Sequence, residues 1–246
     1  MLELKNISYS YNSRGNGGFI YKDFNLNVDD GEVVSLLGPS GCGKTTLVNI
    51  VASYLRPSGG EIFINDKKVS FPGRDRIVIN QENDLFEWMT VYENMKIATH
   101  DDNVIGKYLK VSRLHDFKNL YPIELSGGMK KRLSLARALA TNAEFIIMDE
   151  PFGSLDNEIK EKLHEEVLHI VKLLHKTILL VTHDIEEAIF LSDRVIILDG
   201  KPLKIGKEYN INFPYPRNLL IKDGVDFVKI KNEIKDIYRS VVNENL

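Results

Sequence analysis

The stretch Gly38-Pro39-Ser40-Gly41-Cys42-Gly43-Lys44-Thr45 decides how this chain is read. It fits G-x-x-x-x-G-K-[ST] and lies between an apolar run, Val33 to Leu37, and a stretch with helical periodicity. In that setting the glycines let the backbone curl, so that successive N–H groups point at phosphate oxygens. The start of the following helix adds positive partial charge. Lys44 is then placed to reach the β- and γ-phosphates of a nucleotide, and the Thr45 hydroxyl to ligate Mg²⁺. The candidate cradle runs over Gly38, Pro39, Ser40, Gly41, Cys42, Gly43, Lys44, Thr45 and Thr46. Cys42 reads as a small loop residue, not a nucleophile. The bland alternative, a glycine-rich strand–helix turn, explains neither the lysine nor the threonine.

Outward from this loop, Leu47, Ile50, Val51, Tyr54 and Leu55 recur at helical spacing until Arg56-Pro57 ends the pattern. Further apolar runs of strand length are Ile77 to Ile79, Phe145 to Met148, Ile178 to Val181 and Val195 to Leu198. Such continuous runs suit a parallel sheet covered on both faces. A long amphipathic helix separates the second and third of these runs. Its apolar face is Ile159, Leu163, Val167, Ile170, Val171 and Leu174. Strands alternating with helices predict a doubly wound α/β core. The segment from about Trp88 to Ala140 has no strong strand and reads as an inserted helical subdomain. Asn12 to Gly18 reads as a hairpin tip. In the tail after Pro216, Phe227, Ile230, Ile234 and Ile237 are spaced for one helix face.

Two more places carry chemistry. Asp149-Glu150 follows a buried apolar run and therefore emerges at the carboxyl end of a sheet strand, where α/β ligand sites lie. Asp149 would hold Mg²⁺, directly or through water, and Glu150 would orient and deprotonate an attacking water. His183 follows the run Ile178 to Val181, close to the expected γ-phosphate. The remaining histidines, His100, His115, His164, His169 and His175, read as surface residues.

Composition narrows the classes. The chain has 246 residues, 32 Lys plus Arg against 35 Asp plus Glu, a net charge of −3, and 43% hydrophobic residues. That excludes disorder for most of the chain and leaves no broad basic footprint for nucleic acid. No apolar run approaches the roughly 18–20 residues needed to span a bilayer. Nor does Met1-Leu2-Glu3-Leu4-Lys5 begin a secretory signal, so the expected location is the cytosol. A lone cysteine, Cys42, rules out an internal disulfide. No internal repeat is visible.

The segment Leu125-Ser126-Gly127-Gly128-Met129, continued by Lys130-Lys131-Arg132-Leu133-Ser134, resembles the signature of ATP-binding cassette (ABC) ATPases. With the phosphate loop upstream, the resemblance covers nearly the whole chain. It implies a P-loop NTPase core with a parallel sheet, an antiparallel β subdomain and a helical signature subdomain. One domain, 1–246, is expected: core and β subdomain over about 1–84 and 141–210, helical subdomain over about 85–140, and tail over 211–246. Tyr11 matches the aromatic that stacks on adenine, and Gln81 the Q-loop glutamine that contacts Mg²⁺ and water. Ser154-Leu155-Asp156 looks like the D-loop, and His183 like the switch histidine. Ser126, Gly127 and Gly128 precede a helix and offer a second anion cradle. In the family it caps ATP held by another copy, so an ATP-bound homodimer is implied. Lys130-Lys131-Arg132 reads as a solvated helix face. Asn80 departs from the pattern, which has an aromatic before the glutamine.

Leu85-Phe86-Glu87-Trp88-Met89-Thr90, Met129 and Phe213-Pro214-Tyr215-Pro216-Arg217 resemble importers of the nitrate, sulfonate and taurine group, although Trp88 also suits a plain core position. The implied activity is ATP hydrolysis that powers import of a small anion or related solute. The implied partners are a transmembrane permease, docked near Gln81 to Glu93, and a solute-binding protein. The chain would then sit peripherally on the inner face of the membrane. A soluble mechanical ATPase of the same superfamily, acting on nucleic acid or ribosomes, is the alternative. It usually needs coiled coils, zinc modules or tandem cassettes, and none is seen.

Overall fold

Two sheets organise the chain in the computed structural model, which describes residues 1–11, 18–80, 84–153 and 157–244. Strands β1 (Leu2–Tyr9) and β2 (Tyr21–Val28) pair antiparallel. With β4 (Gly59–Ile64) and β5 (Lys67–Val69) they form a four-stranded antiparallel sheet in the order β2-β1-β4-β5. The second sheet has six strands. These are β3 (Val33–Leu37), β6 (Arg76–Ile79), β7 (Phe145–Asp149), β8 (Thr177–Thr182), β9 (Arg194–Asp199) and β10 (Lys204–Asn210). Their order is β10-β9-β3-β8-β7-β6, parallel except for the edge strand β10.

The apolar runs are continuous because both faces of this sheet are covered. Along β3, Val34 and Leu36 pack with helix α1 (Lys44–Val51) and the small sheet. Val33 and Leu37 point the other way, toward α4 (Gly127–Ala140), α5 (Asn157–Leu173), α6 (Ile185–Leu191) and α7 (Val225–Glu244). A separate core around Val91, Met95, Leu109 and Leu133 holds α2 (Val91–Lys96) and α3 (Asp102–Val111) to α4. A capping box starts α2: Glu93 N donates to Thr90 Oγ1 at 3.2 Å, and Thr90 N donates to Glu93 Oε2 at 2.8 Å.

The tail packs back on the core. Buried Arg217 donates to the carbonyls of Ile189, Phe190 and Ser192 at 3.2, 2.9 and 2.8 Å. It thereby satisfies carbonyls that the end of α6 leaves without intrahelical donors. Its guanidinium also lies 4.2 Å from the Tyr215 ring centroid. Phe227 and Ile234 bury one face of α7, as their spacing predicts.

Several expectations are corrected. The helix after the phosphate loop stops at Val51, not at Leu55. Ser53 adopts φ 62°, a left-handed conformation that a helix cannot continue through, and Tyr54 is exposed. His164 is buried, not on the surface, with its ring centroid 4.6 Å from that of Phe152. Lys131 is buried too, because α4 turns that side inward against the Asn80 carbonyl, at 2.8 Å. Trp88 is 72% exposed and is not a core residue. Strands β4, β5 and β10 have no counterpart among the apolar runs. The expected hairpin tip falls mostly on residues 12–17, outside the described residues, as does the Ile159 side chain of the α5 face.

Candidate functional site

The phosphate loop joins β3 to α1 through backbone that only glycine adopts comfortably. Gly41 and Gly43 sit at φ 77° and 118°. A Cβ on Gly43 would stand 2.7 Å from Ile20 Cγ2. Tyr21 anchors the loop from the small sheet, its hydroxyl donating to Gly43 O at 2.9 Å. Burial pushes the Cys42 thiol up despite the pull of Lys44. That leaves it protonated at neutral pH, as suits a loop residue and not a nucleophile.

Lys44 is 5% exposed and donates to Gly38 O at 2.6 Å and Pro39 O at 2.9 Å. Its ammonium thus occupies the loop's own carbonyls. The first N–H groups of α1 have no intrahelical acceptors and open toward a cavity of about 600 Å³. Tyr11, Phe19, Ser40 to Thr46, Glu150 and Lys201 line this cavity. Tyr11 is 63% exposed and tethered to the loop by a 3.0 Å hydrogen bond between its hydroxyl and Thr46 Oγ1. Its ring meets that of Tyr9 edge-on, with centroids 5.2 Å apart.

The carboxyl ends of β7 and β8 bring the acids and the imidazole beside the loop. Asp149 pairs in register with Val181 and is hydrogen-bonded by the Thr45 hydroxyl. Burial raises its pKa, the Thr45 bond opposes this, and the neighbouring Glu150 charge adds to the rise. Glu150 sits in the left-handed region at φ 46°, with its N–H donating to Val181 O at 2.9 Å. This turn aims its side chain at His183, whose Nδ1 lies 3.2 Å from Glu150 Oε1. The sequence-predicted residues Lys44, Thr45, Thr46, Asp149, Glu150, His183 and Tyr11 are therefore gathered around one loop.

Ser126 caps α4 by accepting from Met129 N at 3.3 Å, and Ser126 and Gly127 are exposed. None of Ser126, Gly127 and Gly128 lines the cavity. Gln81 and Asp156 lie outside the described residues. Sequence reasoning missed Lys201 and Phe19, which enter the cavity from turns whose placement depends on long-range packing. The only local signal for Lys201 was the Asp199-Gly200 turn before it.

Residues 21–153 match the family model described as ABC transporter. The chain belongs to the ABC transporter family. This ABC subunit is an ATP-binding protein and an ATP hydrolase. It is similar to a taurine import ATP-binding protein of Roseobacter denitrificans, 41% identical over 222 residues, spanning 86% of this chain and 82% of that one. It is also similar to a nitrate import ATP-binding protein of Synechocystis sp., 37% identical over 252 residues, spanning 97% and 95%. Among solved structures, an ATP-binding cassette dimer in a post-hydrolysis state with ADP and Pi superposes with TM-score 0.72 at 30% identity, covering 87% of this chain and all of that one.

Proposed function

We propose that this chain is the ATP-hydrolysing subunit of a membrane importer for a small anion such as nitrate, sulfonate or taurine, or a related small solute. It would work as an ATP-bound homodimer on a transmembrane permease, fed by a solute-binding protein, at the inner face of the membrane. No described helix is long and apolar enough to cross a membrane. The observation that carries the reading is the gathering of the phosphate loop, Asp149 beside Thr45, and Glu150 with its His183 partner at one loop, whose cavity Glu150 lines and the signature turn does not. A second copy of Ser126–Gly128 would complete it, in line with the dimeric relative.

The Thr45 hydroxyl and the Asp149 carboxylate are hard oxygen donors held together at the mouth of the loop, which fits Mg²⁺. Gln81 would join them. Bound there, the ion would neutralise charge on the phosphates. Lys44 would exchange the Gly38 and Pro39 carbonyls for β- and γ-phosphate oxygens, and Tyr11 would stack on adenine. Glu150 would take a proton from the attacking water as its oxygen bonds to the γ-phosphorus and the bond to ADP breaks. His183 would hold the Glu150 carboxylate and donate toward the γ-phosphate. Asp156 and the signature of the partner copy would close the site.

The permease would dock near Gln81 to Glu93, on the loop that leads into α2. Asn94, fully buried, shapes it: Asn94 donates to Phe86 O at 3.1 Å and Met89 O at 3.0 Å, and Phe86 N donates back to Asn94 Oδ1 at 3.0 Å. Trp88 is held outward, edge-on to Phe86 at 5.5 Å. An exposed tryptophan on an anchored loop is the kind of group that buries in a partner's cleft. The test is Glu150→Gln, which should bind MgATP, hydrolyse it slowly and elute as a dimer. It should also co-purify with a multi-span membrane protein from the native host. Elution as monomer with MgATP would refute the ATP-bound homodimer, and a wholly soluble pool without such a partner would refute the importer.

A further inference from the structure

One cation ties helix α5 to the bend that carries His183. Lys160 on α5 places Nζ 2.6 Å from Asp184 Oδ2 and 3.1 Å from Glu187 Oε2. Asp184 follows His183 directly and caps α6, its Oδ1 accepting from Glu187 N at 3.1 Å. Its own N–H donates to Thr182 Oγ1 at 3.0 Å. The turn from Thr182 to Glu187 is thus folded on itself and fastened from outside by Lys160.

This is a built pair and not a chance surface contact. Glu187 and His164 are 2% and 1% exposed, and His164 Nε2 lies 3.4 Å from Glu187 Oε2. Neither ring nitrogen of His164, nor Glu187 Oε1, finds a hydrogen-bond partner among the described residues. The Lys160 ammonium, in direct contact, and the more distant buried Lys131 charge therefore supply the compensation that the buried Glu187 carboxylate needs. Burial works against the Lys160 charge, but Asp184 and Glu187 outweigh it and hold the ammonium above the ordinary lysine range. Burial likewise pushes Asp184 up, and the Lys160 bond, the Glu187 N–H and the Lys160 charge together more than reverse that.

We propose that Lys160 is a positioning residue for hydrolysis: it fixes the Thr182–Glu187 bend so that the His183 imidazole stays within reach of Glu150. The inference rests on the roles of His183 and Glu150 proposed above. A plain cross-link between α5 and α6 would stabilise the fold without acting through His183, and the two differ in a double-mutant cycle.

The experiment uses Lys160→Met, Lys160→Arg, His183→Ala and the Lys160→Met/His183→Ala pair in the full chain. Single-turnover hydrolysis with enzyme in excess keeps slow variants readable, and MgATP affinity is measured separately. Displacements of about 1 Å at a reacting centre cost on the order of a hundredfold, so Lys160→Met is expected to slow turnover by about ten- to a hundredfold. Affinity should stay within about twofold, and Lys160→Arg should recover most of the rate. In the His183→Ala background Lys160→Met should change the rate less than about twofold, because coupled residues are not additive. If Lys160→Met is poorly folded, Lys160→Met/Glu187→Gln removes the orphaned carboxylate with the lysine, and the same readouts apply. Wild-type turnover in Lys160→Met, or an equal further loss in the His183→Ala background, would overturn the proposal. Unchanged turnover in His183→Ala would instead overturn the reading of His183 itself.

Discussion

Lys131→Met should make the protein more stable at neutral pH and slower at its task. Lys131 is 2% exposed, and its Nζ donates to Asn80 O at 2.8 Å. Burial pushes its ammonium from 10.5 down to about 8, with Asp84 and Glu187 pulling the other way. The folded chain therefore binds this proton less tightly than the unfolded chain. Below pH 8 the lysine is charged in both states and the full penalty is present. Between pH 8 and 10.5 the folded chain loses the proton first, the penalty fades, and stability rises with pH. At roughly 1.4 kcal/mol per tenfold change in proton affinity, the penalty at pH 7 is about 3 kcal/mol. Methionine keeps the length, removes the charge and loses one hydrogen bond worth about 1 kcal/mol. The net gain for Lys131→Met is about 2 kcal/mol at pH 7, falling to near zero by pH 9.5. Urea unfolding of both proteins at the two pH values reads this out. An advantage that is the same at both, or a loss at pH 7, would refute the reasoning. Released from Lys131, the Asn80 carbonyl no longer anchors the chain one residue before Gln81, so ATP turnover should fall even as stability rises.

Lys44→Ala should weaken nucleotide binding by about ten- to a hundredfold, the worth of a charge-assisted hydrogen bond, in a fluorescent-ATP titration; normal affinity would mean the cradle is misassigned. Tyr11→Ala removes a stacking face that is 63% exposed. It should therefore cost only about 1 kcal/mol, the lower end for base–aromatic stacking, seen as a few-fold weaker affinity with an unchanged hydrolysis rate at saturation. Ser126→Arg should abolish turnover while leaving the isolated chain's affinity for ATP intact, because Ser126 lies away from its own chain's cavity. Equal loss of both would contradict completion of the site by a second copy.

The parts of the site legible in the sequence are those whose function is encoded locally. A phosphate loop needs its glycines, lysine and threonine in one contiguous run, and Asp149, Glu150 and His183 each announce themselves by following a buried apolar strand. The misread residues are those whose environment comes from elsewhere in the chain. His164 and Lys131 both lie on helices and look polar from their neighbours. Only the packing of α5 against α6, and of α4 beneath Asn80, takes them out of water. For Trp88 the sequence left a motif position and a core position both open, and only the structure, in which Asn94 bonds the loop that carries it, shows the side chain exposed.

Local order along the chain thus determined the strand–loop–helix that cradles phosphate, the run of buried strands and the identities of the acids and imidazole beside them. Those features depend on residues within a few positions of one another, where periodicity and turn chemistry suffice. The tertiary structure alone decided that Lys160 grips the bend after β8, that Arg217 closes the end of α6, and that the Ser126 turn stands apart from the cavity. Each of these joins residues far apart in sequence, and their pairing is set by how the buried faces of sheet and helices come together, which no local pattern records.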